Sequence, residues 1–157
     1  MIHDLDHLVG RTTRLGILIN ILTPGVIAAI VFVLVESEIV HPNPEFADRQ
    51  PVLFFADVAV ALGELVAAFV LRRILFSPDR ARPIRHDSSL VEQWVQRSSV
   101  VIFALGATPL VYGAILYLLS GDIRQLALFG IISLLAYRLF RPTRHLLEGA
   151  LNEPSSQ

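Results

Sequence analysis

The chain has 157 residues, 54% of them hydrophobic, with 13 basic and 14 acidic side chains and a formal net charge of −1. That apolar fraction exceeds the roughly 45–50% usual in soluble domains, and together with a mean hydropathy of +0.60 it excludes an ordinary water-soluble globule. Cysteine is absent, which excludes disulfides, thiolate metal sites and a cysteine nucleophile, and the balanced charge offers no nucleic-acid footprint.

Residues 1–14 place Ile2, Leu5, Leu8 and Val9 at helical spacing among His3, Asp4, Asp6 and His7, which predicts a short amphipathic helix at the membrane interface. No small-residue cleavage site follows, so the next apolar run stays as a span rather than leaving as a signal peptide. That first span, Leu15 to Val35, contains Asn20 and the sequence Thr23-Pro24-Gly25. Pro24 lacks an N–H and so frees the Asn20 carbonyl, predicting a kink near mid-membrane. The freed carbonyl and the Thr23 hydroxyl then need partners. Residues 36–51, with four acids, one arginine and three prolines, read as an extended hydrated turn.

The second span, Val52 to Leu71, is long enough to cross a bilayer yet carries Asp57 and Glu64. A carboxyl group in hydrocarbon costs on the order of 2.5 kcal/mol or more, so both acids must face protein, water or a partner. Seven residues make two helical turns, so Asp57, Ala61 and Glu64 share one stripe, with a small residue where a neighbouring helix can come close. Glu64 and Thr23 lie at similar depths on antiparallel spans, which predicts that Glu64 meets Thr23 and Asn20. Such a cluster is either a proton or cation site or hydrogen-bonding glue between helices. Asp57 lies nearer the outer surface, within reach of water or of Arg49.

The segment from Arg72 to Arg97 is the most basic, with Arg72, Arg73, Arg80, Arg82 and Arg85, and suits topology control or contact with anionic lipid. Ser89 with Glu92 fits a capping box. Leu90, Val91, Trp94 and Val95 form an apolar face, predicting a second interfacial helix with Trp94 at headgroup depth. The third span, Ser99 to Leu119, is interrupted at Thr108-Pro109. A tight turn at 120–122 leads to the fourth span, Ile123 to Phe140, where Arg124 and Arg138 snorkel toward opposite surfaces. Pro142 ends it, and Leu146, Leu147, Ala150 and Leu151 mark a weak amphipathic tail before the polar residues 152–157. Eleven of the 13 arginines fall in the N-terminus, the central loop and the C-terminal segment, whereas the opposite loops hold Arg49, Arg124 and five acids. Both termini are therefore expected on the cytoplasmic side. The lysine-free composition fits a GC-rich bacterial genome, and hence an inner membrane.

The two halves are similar to each other. RTTRLGILINILTPGVIAAIVFVLVES aligns with RSSVVIFALGATPLVYGAILYLLSGD, and each half closes on Phe-x-Pro at Phe76/Pro78 and Phe140/Pro142. This predicts an all-α membrane domain of two like-oriented hairpins, 15–76 and 99–141, joined by a basic loop at 77–98 and followed by a tail at 142–157. The stretch ATPLVYGAILYLL, with its Tyr112-Gly113 pair, resembles the ion-carrying helix of the four-helix proteolipid (c-type) subunits of rotary ATPases. In that family an acidic residue on this helix carries the proton or sodium ion, a place held here by Ala107 and Thr108, and by Leu22 and Thr23 in the first half. What the resemblance implies is the hairpin fold.

All five histidines lie outside the spans, which argues against a transmembrane bis-histidine haem, and His3 with His7 reads as solvated rather than metal-binding. No Ser-His-Asp set, phosphate loop or HExxH occurs, so no enzyme, metal or cofactor is expected. The expected function is a small multi-pass structural or accessory subunit. It would pack against copies of itself or against a larger energy-transducing complex within the lipid bilayer. Proton or cation translocation through Glu64 is the alternative, and a membrane anchor or quinone-site subunit the third.

Overall fold

A computed structural model of the protein describes residues 5–41 and 44–151, apart from the side chains of 44, 45 and 47–50. The start of the N-terminal amphipathic segment, the contact between Asp57 and Arg49, and the polar tail at 152–157 lie outside the described residues. The helices are α1 (Leu5–Ile17), a π-helical turn (Leu18–Leu22), α2 (Thr23–Glu36), α3 (Pro44–Leu75), α4 (Pro78–Ala81), α5 (Ser88–Ser120), α6 (Ile123–Phe140) and α7 (Arg144–Leu151). Four stretches are long and apolar enough to cross a membrane: Leu5–Glu36, Pro51–Leu75, Ser88–Ser120 and Ile123–Phe140.

Two expectations about where these helices run are corrected. The interfacial helices before the first and third spans are not separate elements, because residues 5–36 form one helical rod and α5 runs unbroken for 33 residues. Breaking a helix at the membrane surface would leave up to four N–H and four carbonyl groups without intrahelical partners at each new end, and no proline forces such a break at either junction. The segment 44–51 is helical rather than extended. Pro44 occupies the first position of α3, where its missing N–H costs nothing, and Pro51 is carried inside the helix. The reversal before it is compact: the Ser37 amide bonds the Val33 carbonyl at 2.9 Å and the Val40 amide the Leu34 carbonyl at 3.1 Å, with Glu38 at φ 58°. A left-handed residue at that place is how many helices end.

Pro24, where a kink is expected, follows a π-helical turn. The turn just ahead of it widens, and the Thr23 amide bonds the Leu18 carbonyl five residues back. The Thr23 hydroxyl donates to the same carbonyl at 3.0 Å. A π-helical turn absorbs a local mismatch without ending the helix. At Pro109 the helix likewise continues, with the Thr108 hydroxyl donating to the Ala104 carbonyl at 3.0 Å.

The start of α5 is also capped differently from the expected Ser89–Glu92 box. Asp87 is the cap, its Oδ1 accepting from the Ser89 amide at 2.9 Å, the Leu90 amide at 3.2 Å and the Ser89 hydroxyl at 2.7 Å. Glu92 instead accepts from Gln96 at 3.1 Å and pairs with Arg11. Trp94, expected at headgroup depth, donates its indole N–H to the Leu75 carbonyl at 3.1 Å. It stacks edge-on to Phe76 at 5.4 Å, so it closes the last turn of α3.

α5 is the central helix. It packs along α6, with α2 and α3 on its flanks, while the first and second spans share no extensive interface with each other. α5 and α6 are therefore the most extensively packed pair, while the first and second spans stand apart. The main core sits at the arginine-rich end, where Leu8, Phe76, Val91, Val95, Phe140 and Leu147 are buried together. A smaller cluster of Ala61, Leu116 and Phe129 lies toward the other end. Arg144 ties this arginine-rich end together, bonding Asp6 on α1 at 3.1 Å and Glu148 on its own helix at 2.7 Å.

Close approach of helices is what holds such a bundle in lipid, where the hydrophobic drive between helices is absent. At Gly113 a Cβ would stand 2.7 Å from the Phe129 Cβ and 3.3 Å from the Gln125 carbonyl, whereas Gly10 has nothing within 4 Å. Gly113→Ala is therefore expected to cost about 1–3 kcal/mol and Gly10→Ala to add about 0.5–1 kcal/mol, as read by thermal unfolding in one detergent. A loss at Gly10 or none at Gly113 contradicts the packing described. The hydrogen bonds from Ser89 and Leu90 hold the Asp87 carboxyl below its ordinary value of 3.8. Its capping contribution is thus fully present above that value and lost as pH falls through the lower folded-state value. Protection of the Ser89 and Leu90 amides against hydrogen exchange should drop only in that acidic window, and Asp87→Ala should remove the step.

Candidate functional site: a polar seam on the third span

A membrane-spanning helix that carries an acid must give it a donor, and α3 does so across its face on α5. Its contact stripe is Asp57, Ala61, Glu64 and Ala68, of which Ala61 is 1% and Ala68 0% exposed. Those small residues bring the two backbones close enough for the Tyr112 hydroxyl to donate to Glu64 Oε1 at 2.7 Å. The other carboxyl oxygen, Oε2, is buried and has no hydrogen-bond partner. Asp57 is half-buried two turns farther along the same stripe.

The first span brings its own polar groups to the other flank of α5. Asn20, in the π-helical turn, is 1% exposed and both of its amide atoms lack partners. It is pressed against Gly106, where a Cβ would stand 3.2 Å from the amide nitrogen. The Gly106 carbonyl accepts from Ser133 of α6 at 2.8 Å, and the Ser99 hydroxyl is buried without a partner. At the C-terminal end of α2, Glu36 accepts from Tyr117 at 3.0 Å. The Tyr137 hydroxyl of α6 bonds the Thr13 carbonyl at 3.4 Å. All three tyrosines of the chain thus donate from the C-terminal half to the N-terminal half.

Glu64 does not meet Thr23 or Asn20. α5 packs against both of the spans that carry them, which share no extensive interface with each other, and Thr23 spends its hydroxyl on its own helix. Thr108 likewise bonds within α5, and Pro24 and Pro109 are both buried. Residue-level reading missed the acceptor role of Glu36 and the donors Tyr112, Tyr117 and Ser133. The signal that could have found them is the need of a buried phenol for an acceptor, with few acids available on facing helices.

The arginines of the basic segment separate. Arg73 lies over the Phe69 ring at 4.7 Å, while the Nε of Arg72, on the helix that carries Glu64, is buried without a partner. Arg82 faces Asp79 at 3.9 Å, Arg85 donates to His86 at 3.2 Å, and Arg80 is exposed. Among the described residues no group of three or more His, Asp or Glu side chains stands close enough to hold a metal.

Chemically, the Glu64–Tyr112 pair can hold a proton between a phenol and a carboxyl group, or fasten α3 to α5. A double-mutant cycle with Tyr112→Phe and Glu64→Leu should return a coupling of about 0.5–1.7 kcal/mol, the range of interhelical hydrogen bonds in membranes. Glu64→Gln keeps an acceptor and should cost less than Glu64→Leu; strict additivity in the cycle would mean that the bond contributes nothing. No family model matches this chain, and no curated protein or solved structure matches it either.

Proposed function

We propose that this protein is a structural or accessory subunit of a membrane assembly, packing through its first two spans against copies of itself or against a larger energy-transducing complex. The observation that carries this reading is how little of those spans the chain covers itself. Only 11% of the apolar window of each is buried, against 50% in the third span. On α3 the uncovered side presents Ala59, Gly63 and Ala67 at four-residue intervals, all exposed, with nothing within 4 Å of a Cβ built at Gly63. Small residues at this spacing let a second helix backbone approach closely. The arginine distribution supports a cytoplasmic location for both termini, and the composition supports a bacterial inner membrane.

The native mass of the protein in the mildest effective detergent, with every co-migrating chain identified, tests this. The expected result is a discrete oligomer or a larger complex, with Gly63→Leu shifting the mass toward the monomer and leaving the monomer's own unfolding unchanged. A wild-type monomer with no companion chain sinks the reading.

A second reading, proton transfer, is favoured by the buried and unpartnered Oε2 of Glu64 beside the Tyr112 hydroxyl. An intramembrane carboxyl of this kind is a proton-site candidate. Glu64→Gln should then abolish proton flux into liposomes with assembly intact. Absence of flux in the unaltered protein removes this second function.

A further inference from the structure

Along the outer face of α6 the side chains of Ile131, Leu134, Leu135 and Tyr137 lead to Arg138 and Arg141, enclosing a groove of about 620 Å³. That volume lies within the roughly 300–1,000 Å³ of small-molecule sites. Its apolar wall is open: Ile131 is 56%, Leu134 50% and Leu135 54% exposed. Its head is charged, and the charge is not neutralised from within. Arg11 and Arg144 are paired with Glu92, Asp6 and Glu148, whereas among the described residues Arg138 and Arg141 have no carboxylate partner. One wall is fixed, since the Tyr137 hydroxyl is bonded to the Thr13 carbonyl of α1 and the ring lies 5.8 Å from that of Phe103.

We propose that this groove binds one anionic phospholipid, its phosphate between Arg138 and Arg141 and an acyl chain along Leu135, Leu134 and Ile131. The geometry follows the ligand's own layout. From Arg141 back to Ile131 is ten residues, about 15 Å of helix at 1.5 Å per residue, running from the end of the span into the hydrocarbon. A guanidinium pair presents planar donors to phosphate oxygens, and each arginine near an anionic headgroup adds an attraction worth roughly a fivefold gain in affinity. Two such residues at the head of an apolar channel select an anionic head over a zwitterionic one with the same chains.

The test is native mass spectrometry of the detergent-purified full chain titrated with phosphatidylglycerol or with phosphatidylcholine of identical acyl composition. The expected result is one adduct with phosphatidylglycerol preferred roughly tenfold or more. The Arg138→Gln/Arg141→Gln variant should lose that preference by a factor of roughly ten to thirty, with phosphatidylcholine binding unchanged. Arg80→Gln/Arg82→Gln, which removes the same charge elsewhere, should leave it intact. Leu134→Ser should weaken both lipids alike, and glycerophosphate at equal concentration should not compete. The proposal is overturned by equal affinities for the two lipids in the unaltered chain, by equal losses in the two arginine pairs, or by competition from glycerophosphate, which would make the site one for free phosphate. Thermal unfolding of each variant in the same detergent separates a lost site from a lost fold.

Discussion

In hydrocarbon a polar group without a partner has no water to fall back on, and the arrangement of this bundle follows from that constraint. α5 is the element that meets it. From one helix Tyr112 and Tyr117 reach acids on two different spans, and the Gly106 carbonyl takes a hydroxyl from a third. Each bond is individually modest, on the order of 0.6 kcal/mol in membrane proteins where such bonds have been dissected. Their value lies in direction: a phenol on α5 can satisfy Glu64 only if α3 is docked in one register and rotation. The small residues Ala61 and Ala68 then make that docking close enough to work.

The groups left unsatisfied are as informative as those that are paired. Asn20, Ser99, one oxygen of Glu64 and the Nε of Arg72 are buried with nothing to bond, and Asn20 and Glu64 are the polar groups that the first and second spans turn toward α5. The π-helical turn at Leu18–Leu22 puts Asn20 against the bare backbone of Gly106. An orphaned polar group in a helix interface is a cost. One turn earlier on the same rod, Gly16 is packed against the fully buried Phe103 and the Tyr137 ring.

Much of the architecture was legible in the residues. Hydropathy and length alone mark four spans, because the cost of exposing backbone to lipid leaves few other solutions. Two buried acids stood out because their cost is large compared with anything else in an apolar run. What did not follow was which helix each acid would face. Depth along the membrane normal can be counted from sequence, and that count set Glu64 level with Thr23. Azimuth cannot be counted, and the docking of both of the first two spans on α5 is a fact of packing over long sequence separation. The capping error has a similar origin: Asp87 and Ser89 both suit an N-cap, and the choice was decided by Glu92, which pairs with Arg11 on a helix far away in sequence. Helix continuity was missed at both interfacial segments because amphipathic and fully apolar patterns differ in composition but not in backbone.

The two ends of the bundle are held by different means. At the arginine-rich end Leu8, Phe76, Val91 and Leu147 bring together α1, the chain just after α3, α5 and α7, and the ion pairs across them are exposed, so they add little beyond setting register. Toward the other end the first span is attached to α5 by the Glu36–Tyr117 hydrogen bond and the contact of Phe32 on Tyr117 at 6.1 Å, and the second by the Glu64–Tyr112 bond and a small cluster in which Phe54 meets Phe129 of α6 at 6.1 Å. Stability within a protein follows local contact density. A helix packed firmly at one end and thinly at the other yields first at the thin end, and there the spans flank α5 with their apolar sides uncovered. The closed end therefore anchors the two spans at a common base, and their register farther along is held by the Glu64–Tyr112 and Glu36–Tyr117 bonds to α5.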